Sequence, residues 1–106
     1  MANYKLLVTG AAAINTTTTA LTSQATLEAI TIHVGVAPVS VENLIVTLDA
    51  VDGAAYDTVL LTQAMAGVTD VAVTDIGVPL FAGDALKVTW TNTDLRTVGV
   101  RLCLED

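Results

Sequence analysis

Apolar and polar residues alternate along this chain in short runs. Within 78–105, Leu86, Val88 and Trp90 share one parity, as do Val98, Val100, Leu102 and Leu104, so each run offers one apolar face to a core and one mixed face outward. The polar residues between the two runs predict a β-hairpin that closes the domain. The same alternation occupies 27–36, where Ile30, Ile32, Val34 and Val36 face one way and Ala29, Thr31, His33 and Gly35 the other. In 42–51, Leu44, Val46 and Leu48 point inward and Ile45, Thr47 and Asp49 outward. Asp52-Gly53 is a strong hairpin signal and returns the chain as a strand over 56–63. Residues 4–9 read as a first strand, 68–76 alternate weakly around Val71 and Val73, and Pro79 and Gly83 punctuate the approach to the last two runs.

No segment shows a helical stripe with caps. A chain of 106 residues fits one core, and the pattern predicts a single all-β domain over 1–106: a two-sheet antiparallel sandwich of seven to eight strands, jelly-roll or immunoglobulin-like. Periodicity leaves the strand order open. Residues 11–26 carry few charges and include Thr16 to Thr19. They read as a Thr-rich strand, because β-branched side chains suit a half-exposed pleated surface. The other reading is that 1–26 include an N-terminal arm that orders on a neighbouring subunit.

Composition adds two constraints. The hydrophobic fraction of 53% against 14% charged, with a mean hydropathy of +0.66, supplies more apolar surface than one small core hides, which favours an oligomer or a larger assembly. The net charge is −7 at pH 7, and Lys5, Lys87, Arg96 and Arg101, the only Lys and Arg, are dispersed. Binding to nucleic acid or to an anionic membrane is not expected of such a chain, and no run approaches the roughly 20 apolar residues of a spanning helix. Lys5 precedes Leu6, Leu7, Val8 and Ala11 to Ala13, but Thr9 and Gly10 interrupt this stretch before it reaches the length of a secretory apolar region. With a single cysteine, Cys103, no intrachain disulfide can form. Cytoplasmic synthesis is the simpler expectation.

The residues that catalysis usually needs are scarce. His33 is the only histidine, so any nucleophile-base pair would have to use it, and its parity sets it on an outer face as a contact residue. One His and one distant Cys cannot make a zinc site. Asp49, Asp52 and Asp57 surround a turn without the alternate spacing of a calcium loop, and Asp favours turns because it caps local amides. Tyr4, Tyr56, Phe81 and Trp90 are few for a sugar platform; Trp90 has core parity, and Phe81 is placed to plug one end of the sandwich. Cys103 shares a mixed face with Arg101 and reads as a half-buried contact residue. No catalytic, cofactor or metal site is expected. Thr31, His33, Arg101 and Cys103 are the interface candidates.

Three stretches carry a resemblance: an Ala-Pro break before Ser-Val-Glu-Asn (37–43), Asp-Gly-Ala-Ala-Tyr-Asp (52–57), and Phe-Ala-Gly-Asp (81–84) ahead of Thr-Asn-Thr-Asp (91–94). Over 27–105 the chain resembles small β-sandwich accessory proteins of tailed bacteriophage virions. These are turn and strand patterns and transfer no site residue. The resemblance implies a capsid decoration, cement or head-fibre role, or another accessory position on the virion. A non-enzymatic structural protein is expected, acting as a homotrimer or as monomers arranged by a symmetric particle, with the major capsid or other virion proteins as partners. A glycan- or receptor-binding module is the competing expectation, and an enzyme is a distant third.

Overall fold

A computed structural model describes residues 3–106. The described residues form nine strands: β1 (Asn3–Gly10), β2 (Ile14–Thr17), β3 (Ala25–Val34), β4 (Asn43–Asp49), β5 (Thr58–Ala64), β6 (Asp70–Val73), β7 (Val78–Leu80), β8 (Ala85–Trp90) and β9 (Val98–Glu105), with a short 3-10 turn at Ala54–Tyr56. They build two antiparallel sheets. Sheet A runs β1-β9-β3-β6, with β7 also on β3; sheet B runs β2-β8-β4-β5.

β6 and β7 pair with successive parts of the same edge of β3, at 30–33 and 25–27. They therefore serve as one interrupted strand. Counted so, the sandwich has eight strands in two sheets of four, and the chain switches sheet in the order of a jelly roll.

Alternation builds the core directly. Leu27, Ile30, Ile32 and Val34 of β3, Leu44 and Val46 of β4, Leu86, Val88 and Trp90 of β8, and the even-numbered residues 98–104 of β9 interlock as one buried cluster. Each fully buried Leu, Ile or Val contributes roughly 1.5–3 kcal/mol. A bulge between Leu27 and Ala29 shifts the β3–β9 register, which is why Leu27 and Ile30, of opposite parity, both point inward.

Several expectations need correction. β8 and β9 do not form a hairpin: β8 pairs with β2 and β4, and β9 with β1 and β3. Residues 91–97 cross from sheet B to sheet A, and the two strands meet across the core through their apolar faces. Residues 78–80 form an extra strand containing Pro79, which a sheet edge accommodates because the missing N–H is not needed there. Tyr56 ends a 3-10 turn rather than beginning a strand. Phe81 does not plug the sandwich, since 53% of its surface stays exposed. The Thr-rich stretch holds strand β2 against β8, and Thr18 continues that contact by exchanging hydrogen bonds with Leu86. Residues 3–10 lie in sheet A; the part of the expected arm at residues 1–2 falls outside the described residues.

Connections collect at two ends. Residues 11–13, 35–42, 65–69 and 91–97 form one, called here the crossing end; residues 18–24, 50–57 and 81–84 form the other, beside Glu105. The second end is organised by Asp84, only 2% exposed, whose carboxylate accepts from Val51 N–H at 2.9 Å and Phe81 N–H at 2.8 Å. A Cβ on Gly83 would lie 2.6 Å from Val51 Cγ2, so glycine is what lets these two turns approach.

Candidate contact surfaces

Strand register groups the four interface candidates on the outer face of sheet A. One rung crosses the sheet as Thr9, Gly99, His33 and Asp70; the next as Leu7, Arg101, Thr31 and Ala72; a third as Lys5, Cys103 and Ala29. A shallow depression of about 620 Å³ lies over the first two rungs, and a second of about 670 Å³ lies beside Lys5, Glu28, Arg101 and Cys103. Arg101 lines both. Cys103 is half-buried and lines only the second.

His33 is held in place by chemistry rather than packing. Its Nδ1 lies 2.7 Å from Asp70 Oδ1, and Thr69 Oγ1 donates to Asp70 Oδ2 at 3.1 Å. The His33 hydrogen bond first, and Thr69 second, hold the Asp70 carboxyl below its ordinary value. An ionised carboxylate only accepts, so Nδ1 carries the proton in this contact, which leaves Nε2 as the ring nitrogen not engaged by Asp70. Both side chains are largely exposed, so the pair fixes orientation and adds little stability. Among the described residues, no three His, Cys, Asp or Glu gather to hold a metal ion. Of the turn aspartates, Asp57 caps the Ala50 N–H at 2.9 Å.

A second surface was not legible as a site. At the crossing end Val36, Val39, Val41 and Leu95 are exposed, Val41 by 92% and Val39 by 77%. The loops bearing them are locked together. Asp94 accepts from the N–H groups of Val39 and Ser40 and from the Ser40 hydroxyl, while Glu42 accepts from the N–H and hydroxyl of Thr93. These bonds hold both carboxyls below their ordinary values: Thr93 hydroxyl first for Glu42, Ser40 N–H first for Asp94. Beneath them, Asn92, fully buried at φ 47°, donates to the carbonyls of Ala12 and Arg96 and accepts from Arg96 N–H, all at 2.9 Å. The sequence signal was present in Val39 and Val41, apolar residues after the Pro38 break whose odd parity matches neither the 30–36 run before them nor the 44–48 run after them.

No protein-family model and no curated protein matches the chain. Among solved structures it is similar to the Drosophila NLP core, described for pentamer formation and histone binding, with a TM-score of 0.55 and 14% identity over 98% of both chains. It is also similar to a chain from the infectious bursal disease virus Gx strain, with a TM-score of 0.39 and 9% identity over 96% of this chain and 32% of that one. At 14% identity the NLP likeness concerns the fold alone. The class defined by fold and surface is a small antiparallel jelly-roll sandwich with an ordered apolar end.

Proposed function

We propose that this chain is a non-enzymatic structural protein of a tailed-phage particle, a capsid decoration or cement protein that covers junctions between subunits. The observation that carries the reading is the crossing end: largely exposed apolar side chains on loops that hydrogen bonds already order. A loop fixed before binding loses little entropy on binding, and apolar residues on it gain by leaving water. The resemblance of 27–105 to virion accessory proteins supplies the particle. The chain acts as a homotrimer, or as monomers ordered by the particle's symmetry; a neighbour of the same fold described for pentamer formation supports self-association without fixing the number of subunits.

Electron microscopy of particles mixed with this protein tests the proposal. Density at subunit junctions is expected for the parent protein, and at least tenfold lower occupancy for a Val39→Asp/Val41→Asp double variant that retains its fold. Absence of the protein from particles, or equal occupancy of parent and variant, would overturn it.

A further inference from the structure

The two upper rungs of sheet A's outer face pose a separate question. Gly99 stands mid-strand in β9, flanked directly by Thr9 and His33. A Cβ there would meet nothing within 4 Å, and its φ lies outside the left-handed region. Neither packing nor backbone conformation asks for glycine, and glycine inside a strand costs roughly 0.5–1 kcal/mol relative to alanine. Such a residue marks a bulge, a tight bend, or close approach by a ligand or another backbone, and the register of β9 with both neighbours runs through Gly99 without a shift. Here it forms the floor of the 620 Å³ depression, within the range of small-molecule sites.

The walls indicate what fits. Arg101, one rung away, makes no hydrogen bond or ion pair among the described residues, and its planar fork suits a carboxylate. On the other side, His33 presents Nε2 because Nδ1 is committed to Asp70, and the Thr31 hydroxyl lies between them in register. These groups suit hydroxyls, which both donate and accept. Leu7, 64% exposed, supplies an apolar wall for C–H groups. Asp70 opposes an anion, but it stands beyond His33 and on the other rung from Arg101, its two oxygens taken by His33 and Thr69. A neutral sugar leaves Arg101 unused, and a bare carboxylate leaves His33, Thr31 and Leu7 unused.

We infer that this depression binds a carboxylated monosaccharide unit, a uronic or sialic acid, with Arg101 on the carboxylate, His33 and Thr31 on hydroxyls, and the ring over Gly99. The site is separate from the valine-bearing loops, so its test and the particle-binding test fail independently.

Amide NMR titration with the methyl glycosides of glucuronate and of N-acetylneuraminate tests it. At least one should perturb Leu7, Thr31, His33, Gly99 and Arg101 together, with a dissociation constant of about 1 mM. Methyl glucoside and acetate should bind at least tenfold more weakly. Arg101→Met and Gly99→Val, the latter placing its methyls in the open floor, should each weaken binding at least tenfold while leaving the rest of the spectrum unchanged. The inference is overturned by no perturbation from either acidic sugar at about 20 mM, by acetate or methyl glucoside matching them, or by undiminished binding in Arg101→Met.

Discussion

Ser40 gives both of its donors to Asp94: its backbone N–H at 2.8 Å to Oδ2 and its hydroxyl at 3.0 Å to Oδ1. One carboxylate thereby anchors the 35–42 loop to the 91–97 crossing, 54 residues away along the chain. Asp94→Asn keeps the shape but removes the charge and one acceptor. Hydrogen exchange at the Val39 and Ser40 amides should accelerate by roughly tenfold or more, with the core strands unaffected. Unchanged protection would show that the loop is ordered by something else.

Acid should act on the same end. Glu42 and Asp94 have folded values lowered from ordinary values of 4.5 and 3.8. A lowered folded value means that the stabilisation is present above the ordinary value and is lost as pH falls through the folded one. Loop protection should therefore hold from neutrality to about pH 5 and decline below about pH 4. Exchange measured on the parent and on Asp94→Asn checks this, because the variant should lose the part of the decline that belongs to Asp94.

Asn92→Ala should be among the more damaging substitutions at this end. It leaves the Ala12 and Arg96 carbonyls and the Arg96 N–H without their partner inside the structure, and it places Ala in the left-handed region. A loss of about 2–4 kcal/mol is expected, read as a lower urea midpoint at constant slope.

Trp90 is 2% exposed with no partner for its Nε1. Trp90→Phe removes an N–H that gains nothing from burial, so it should cost no more than about 1.5 kcal/mol. Trp90→Ala opens a cavity and should cost about 3–5 kcal/mol. Urea denaturation of the two variants separates these contributions, and equal losses would mean that the indole nitrogen matters more than the ring.

The residues that face inward were readable because alternation has the same meaning in either sheet. Leu44 and Val46, Leu86, Val88 and Trp90, and Val98, Val100, Leu102 and Leu104 are buried as the pattern required, and Asp52-Gly53 does join the paired strands β4 and β5. Alternation does not tell which neighbour a strand pairs with. β8 and β9 present apolar faces whether they lie side by side or oppose each other across the core. The seven residues between them, longer than the usual two to five of a hairpin loop, were the available warning. Periodicity placed Thr31 and His33 on the outer face of one strand and Arg101 and Cys103 on that of another, but their meeting on one sheet, the His33–Asp70 pair and the open floor over Gly99 depend on a register between β3, β6 and β9 that no local pattern encodes. The Asp94 and Glu42 anchors span more than fifty residues and were invisible for the same reason.

The position of β9 bears on how the protein is made. It is the middle strand between β1 and β3, yet it is translated after both, so a nascent chain holds two unsatisfied sheet edges until residues 98–105 leave the ribosome. Sheet A must then close around a late insertion. Nearly every pairing joins distant segments, which sets folding on the scale of milliseconds to seconds and makes truncation within the last strand a route to aggregation rather than to a smaller domain.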